Sequence, residues 1–150
     1  MILYLDSSAL VKKYVREKDS EAVLDALRLA EVVALSMVGY AEVMAALFRR
    51  QRENANALAV LQSVGEQFKR DWRSFAKIEL TESVNEQAEL LLSRHALRGF
   101  DAIHLASALV LAGEVGRSDL TFVCADTRLL EAARREGLGI LPLPGTNPGP

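Results

Sequence analysis

Short, continuously apolar runs that stop abruptly at helix-start chemistry restrict this chain more than any other feature. Ile2-Leu3-Tyr4-Leu5 gives way to Asp6-Ser7-Ser8, Val32-Val33-Ala34-Leu35 to Ser36, and Leu120-Thr121-Phe122-Val123-Cys124 to Ala125-Asp126-Thr127. A run of this kind is the pattern of a strand buried on both faces. Asp, Ser or Thr after it supplies an N-cap for a following helix. Phe75 to Leu80 reads as a further strand and Ile140-Leu141 as a last short one. Between them, helical spacing covers Ala9 to Val15, Ser20 to Ala30, a stretch capped by Ser36 through Glu42 to about Arg52, and Ala57 to Phe68. Thr81-Glu82-Ser83 opens another helix to about Leu97, with Leu90, Leu91 and Leu92 expected on its buried side. Gly99 separates it from a helix running from Asp101 to about Ala112, and Thr127 to Arg135 forms the last helix. Strands alternating with helices predict an α/β fold, a mostly parallel central sheet with helices on both faces.

The chain has 150 residues, the length of one domain with a full core. Residues 1–143 are expected to form it. Residues 144–150, Pro144 to Pro150, carry no core-forming side chain and are expected to be a disordered tail. No apolar run approaches the roughly 20 residues of a membrane span, and the acid at Asp6 interrupts the N-terminal run before a signal peptide could form. The single cysteine, Cys124, has no internal partner. The expected location is the cytoplasm, with no membrane contact. A net charge of −2 argues against a duplex binder working by charge alone. Any nucleic acid must be held by local basic patches or bridging cations.

Four carboxylates occupy telling positions. Asp6 and Asp126 follow strands, Glu42 lies early in the helix after Val32–Leu35, and Asp101 begins its helix. In an open parallel sheet, functional groups gather beyond the carboxyl ends of the strands. Glu42 and Asp101 interrupt the apolar stretches Val38 to Leu47 and Phe100 to Leu109, so each is expected to be partly buried and to need a partner. Glu42 has no Lys or Arg three or four residues away, whereas Asp101 has Arg98. Carboxylates brought together repel by roughly 4 kcal/mol at about 4 Å and an effective dielectric of about 20. A hard divalent cation such as Mg²⁺ or Mn²⁺ relieves this. Taken singly, Asp6, Asp126 and Asp101 each read equally well as helix caps. Their joint placement with Glu42 on one rim is what points to a metal site.

Leu5-Asp6-Ser7-Ser8-Ala9-Leu10-Val11-Lys12, Ala41-Glu42-Val43, Asp101-Ala102-Ile103-His104-Leu105-Ala106 and Ala125-Asp126-Thr127-Arg128-Leu129, in this order, resemble the motifs of the PIN domain. The likeness is to its VapC-type toxins and spans Met1 to about Leu143. It implies a PIN-like α/β/α sandwich and an acidic pocket where Asp6, Glu42, Asp101 and Asp126 hold one or two Mg²⁺ or Mn²⁺ ions. It further implies endoribonuclease activity on RNA, a homodimer, and a cognate antitoxin whose extended segment blocks the pocket. Asp6 and Asp101 are the first expected direct ligands, with Glu42 and Asp126 binding directly or through water.

One departure stands out. Such toxins commonly carry Ser or Thr two residues before the last acid, where this chain has Cys124. A thiol is a weaker hydrogen-bonding group than a hydroxyl, and Ser8 or Thr127 is expected to support the site in its place. Cys124 is expected to be inert. His104 is read as packing rather than as a base. Lys12, Lys13, Arg16, Arg98 and Arg128 are the candidates for holding RNA. Arg49-Arg50-Gln51-Arg52 is read as a solvated face. The apolar helical stretches around Val23 to Leu29 and Val43 to Leu47 are candidate dimer surfaces.

The alternative is a catalytically weak or inactive PIN domain acting as an RNA- or protein-binding module. A phosphoryl-accepting α/β domain is disfavoured. The segment Asp6-Ser7-Ser8 lacks the second Asp of a haloacid-dehalogenase-type phosphatase, and the acidic pair of a receiver is missing too. No Gly-rich loop follows Leu5 and no Cys/His spacing suggests zinc.

Overall fold

The computed structural model describes residues 1–146. Five strands form one sheet in the order β3-β2-β1-β4-β5, every pair parallel. They are β1 (Ile2–Leu5), β2 (Val32–Ser36), β3 (Ala76–Ile78), β4 (Leu120–Val123) and β5 (Gly139–Ile140). The helices are α1 (Ser7–Tyr14), α2 (Ser20–Leu29), α3 (Gly39–Glu53), α4 (Leu58–Trp72), α5 (Glu82–Arg94), α6 (Gly99–Val115) and α7 (Thr127–Arg135). The chain starts in the middle of the sheet, builds β2 and β3 to one side, then returns to lay β4 and β5 on the other. The order therefore reverses beside β1, between the strand ends that carry Asp6 and Asp126.

Alternation along β1 splits the interior into two cores. Leu3 and Leu5, with Leu35 and Val123, pack against α1 to α4 through Leu10, Val23, Val43, Leu47 and Phe68. Tyr4, with Ala34 and Phe122, faces α5, α6 and α7 through Leu91, Leu105, Leu129 and Leu130. Tyr4 stacks on Phe122 with ring centroids 5.5 Å apart. Helix α6 is apolar around nearly its whole circumference because it is sandwiched in this second core, where His104 and Ser107 are its buried polar side chains. No single helix among the described residues is long and apolar enough to cross a membrane.

Several expectations need correction. Leu91 is fully buried, but Leu90 and Leu92 are about half exposed, since three consecutive residues at 100° per step cannot share one helix face. Ser36 ends β2 rather than capping α3. Met37 still bonds to Ile78 of β3, and α3 begins only at Gly39 behind Val38. Helix α6 starts at Gly99, which puts Asp101 in its first turn and Arg98 at the cap position. Val23, Val43 and Leu47 line the core, and Leu29 and Phe48 are the large apolar side chains that α2 and α3 leave exposed. Of the segment expected to be disordered, Pro144–Thr146 form a short 3-10 turn in which the Gly145 amide donates to both carboxylate oxygens of Asp19 at 3.1 Å. Residues 147–150 lie outside the described residues.

Candidate active site

Asp6 follows the central strand and is 4% exposed. It caps α1, accepting from the Ala9 amide at 2.9 Å. The Ser8 hydroxyl bridges both of its oxygens, at 2.7 and 2.8 Å, and itself accepts from the Ala125 amide at 3.1 Å. With the Asp6 amide donating to Val123 O at 3.2 Å, this ties the ends of β1 and β4 together. Burial pushes the Asp6 carboxyl up to about 6, against the opposing pull of His104, the Ala9 amide and Ser8, and repulsion from Asp101 adds to the rise. The cap and the site are thus one arrangement: the hydrogen bonds that start α1 fix a carboxylate that its surroundings leave short of positive charge.

Glu42 reaches the same place from the first turn of α3. Its Oε1 accepts from Ser7 Oγ at 2.6 Å and from His104 Nε2 at 2.6 Å. Burial raises the Glu42 carboxyl, but the hydrogen bonds from His104 and Ser7 and the charge of His104 outweigh it, and the net shift is downward. His104 is 2% exposed, with Nε2 also 3.2 Å from Ser7 Oγ and Nδ1 3.4 Å from the Tyr4 hydroxyl.

Asp101 and Asp126 form the opposite wall and are held more loosely. Arg98, with a side chain 83% exposed, places Nε 3.3 Å from Asp101 Oδ2 and a terminal nitrogen 3.9 Å from Asp126 Oδ2. Asp126 also caps α7, accepting from the Leu129 amide at 2.9 Å. Asp6, Glu42, Asp101 and His104 line a depression of about 590 Å³, with Ser7, Ser8, Arg49 and Arg98 in its walls. Asp126 lines a second of about 420 Å³, with Thr127 and Arg128, that shares Arg98 and Asp101 with the first.

The structure thus brings the four expected acids to one rim, across two adjoining depressions. As the side chains stand, no group of three His, Cys, Asp or Glu among the described residues could hold a metal ion. Protein donors occupy the carboxylates instead: the Arg98 guanidinium on Asp101 and Asp126, and His104 Nε2 on Glu42. The donor set still suits a hard divalent ion, being all carboxylate oxygen with one member, Asp6, buried and under-compensated. Arg98 is exposed enough to move aside.

Ser8 supports Asp6 as expected, whereas Thr127 is exposed and makes no bond to it. Cys124 is fully buried. Its thiol donates to Asp126 O at 3.3 Å, and burial pushes it far above its ordinary value, as expected of an inert cysteine. Of the basic residues, Lys12 is buried on Glu17 and the Lys18 carbonyl, and Lys13 pairs with Asp71 at 2.6 Å. Arg16 pairs with Glu21 at 3.2 Å on the surface. Of these candidates Arg98 and Arg128 line the acidic depressions, where Arg49 joins them. Sequence reasoning missed Ser7, taken only as cap chemistry, and undervalued His104 and Arg49. For His104 the signal was present: a polar ring on an apolar helix needs a buried partner.

A parallel sheet with acids converging at its switch point defines an α/β domain with a carboxylate-rimmed site. The chain belongs to the PIN domain family, whose sequence profile matches residues 3–135, and its relatives there are of the VapC type. It is 33% identical over 141 residues to Ribonuclease VapC45 of Mycobacterium tuberculosis, covering 94% of this chain and 95% of that one. To Ribonuclease VapC46 of the same species it is 34% identical over 142 residues, covering 93% and 95%. Two solved structures share the fold at low identity. A toxin-antitoxin complex from Klebsiella pneumoniae matches with TM-score 0.65 at 16% identity, over 93% of this chain and 96% of that one. FitAcB from Neisseria gonorrhoeae matches with TM-score 0.65 at 19% identity, over 95% and 97%.

Proposed function

We propose that this protein is a divalent-metal-dependent endoribonuclease, the toxin half of a cytoplasmic toxin–antitoxin pair, and that it hydrolyses RNA at the rim formed by Asp6, Glu42, Asp101 and Asp126. The observation that carries the reading is the buried Asp6 carboxylate at the switch point, with three further acids delivered to the same rim by three other helices. The ribonuclease names of the relatives and the toxin–antitoxin setting of a structural neighbour support it.

Bound Mg²⁺ or Mn²⁺, one ion or two, supplies Lewis-acid charge for attack of water on a phosphodiester and for the departing oxygen. Asp6 and Asp101 would hold such an ion most directly, with Glu42 and Asp126 completing the oxygen set. Ser8 keeps both Asp6 oxygens oriented. Arg98 and Arg128, exposed at the acidic edge, are suited to hold RNA phosphates, and Arg49 lines the other wall with no ion pair of its own among the described residues. The inhibitory antitoxin and a homodimer belong to the same reading. Exposed large apolar side chains such as Phe48, Leu90 and Phe100 are consistent with further protein surface being covered.

The test is incubation of antitoxin-free protein with total bacterial RNA and Mg²⁺ or Mn²⁺, beside EDTA and Asp6→Asn controls. Discrete fragments that both controls remove are expected. Cleavage by Asp6→Asn at the parent rate contradicts the site. A second reading, a PIN domain that binds RNA or protein without turnover, is favoured by Cys124 and by the absence of a ready three-acid group among the described residues. Metal binding without cleavage of any RNA would select it.

A further inference from the structure

Glu42 is held from one side only. Both donors that reach it, Ser7 Oγ and His104 Nε2, bond to Oε1 at 2.6 Å. Oε2 receives no hydrogen bond among the described residues, while Glu42 lines the acidic depression. His104 is in turn fixed from behind. Its ring is 2% exposed, and Nδ1 lies 3.4 Å from the hydroxyl of Tyr4, which is fully buried and packed on Phe122. Nε2, facing a carboxylate, must carry hydrogen in either protonation state of the ring, so it is a permanent donor. Gly39 packs beside the assembly: a Cβ there would lie at ordinary contact distance, 3.8 and 3.9 Å, from Ser7 Oγ and His104 Cε1, and tighter, 3.1 Å, on Leu35 Cδ1.

We propose that His104 is a positioning residue, which with Ser7 and Tyr4 locks one oxygen of Glu42 to the protein and presents the other to the divalent cation. A ligand carboxylate whose second oxygen is hydrogen-bonded is oriented before the ion arrives, and such supporting partners commonly govern affinity as strongly as the ligands. The inference rests on the metal-dependent reading above. It assigns His104 a role outside simple packing and outside proton transfer.

The test measures Mn²⁺ affinity by titration calorimetry on the full chain without RNA, with thermal melts of each variant. His104→Leu is expected to weaken Mn²⁺ binding by about 10- to 100-fold. His104→Gln, which keeps a donor near the Nε2 position, is expected to recover most of that loss, a rescue that volume alone does not explain. Ser7→Ala, a small change that removes the other Oε1 donor, should weaken binding in the same direction and covers the case in which His104→Leu fails to fold. ¹⁵N spectra of the ring should show Nε2 protonated, and Tyr4→Phe should leave that signal in place while loosening the affinity less than His104→Leu. If the parent binds Mn²⁺ and the folded variants bind it equally well, the positioning role is overturned alone. If the parent binds no Mn²⁺, the metal-site reading falls and takes this proposal with it.

Discussion

The two walls of the acidic site are built differently. On the β1 side, Glu42, Ser7 and His104 are joined by hydrogen bonds of 2.6 to 3.2 Å, Asp6 is held by Ser8 and the Ala9 amide at 2.7 to 2.9 Å, and Asp6 and His104 are almost wholly buried. On the far side, Asp101 and Asp126 are one-fifth and one-third exposed and share one exposed guanidinium at 3.3 and 3.9 Å, Asp126 also accepting from the Leu129 amide. The first wall is the more firmly held because Asp6 and His104 lie where water cannot replace a lost partner, while Glu42, about one-third exposed, is tied in through the bonds of His104 and Ser7 to its Oε1. The second is solvated, and its ion pairs are of the exposed kind that contributes little. A site of this design keeps a fixed half ready and lets the adjustable half close around what binds.

Breaking the fixed half should therefore have the largest effect. Asp6→Asn is expected to reduce RNA cleavage to background, with circular dichroism and melting showing a folded protein.

The same residue sets a pH dependence in metal-free buffer. The folded protein raises the Asp6 carboxyl from its ordinary 3.8 to about 6. Its contribution is therefore fully present below about pH 4 and is lost as pH rises through about 6, a difference of up to about 3 kcal/mol. Denaturant titrations at pH 5 and pH 8 should show about half of that loss in the parent and none of it in Asp6→Asn. Saturating Mn²⁺ should remove it too, because a bound cation favours the ionised form. A loss unaffected by Asp6→Asn would assign it to another group.

Ser8→Ala removes the hydroxyl that bridges Asp6 and the Ala125 amide. It should cost about 1 to 3 kcal/mol by urea unfolding and lower the cleavage rate.

The adjustable half should respond weakly. Arg98→Ala is expected to change stability by less than about 1 kcal/mol, to leave Mn²⁺ affinity no weaker, and to raise the KM for RNA. A large loss of stability would mean that the second wall is as fixed as the first.

The difference between the walls also explains what the sequence could reveal. The strands and the order of the acids were legible because buried parallel strands are written as continuous apolar runs and caps follow them directly. Asp6, Asp126 and Glu42 could be placed on one edge from connectivity alone. Leu90 and Leu92 were misjudged because a run of leucines hides which member meets the core. Asp101 reads from the sequence as the start of its helix because Gly99, which lies inside the helix, looks like a separator. The contacts joining Ser7 and His104 to Glu42 span 35 and 62 positions, and no local pattern encodes them. Polarity on an apolar helix announced that His104 had a partner, but not which one. The basic residues were the least legible: Lys12 is spoken for by Glu17, five residues on, and Lys13 by Asp71, which only the fold brings near.

The most direct measurement is a crystal structure grown with Mn²⁺, read by anomalous scattering at the manganese edge. The expected result is a peak beside Asp6 with Asp101 as co-ligand, Glu42 still bonded to Ser7 and His104 through one oxygen, and Arg98 turned away from the acids. Full-occupancy protein with no peak at this rim, and Arg98 still between Asp101 and Asp126 at saturating Mn²⁺, would contradict it.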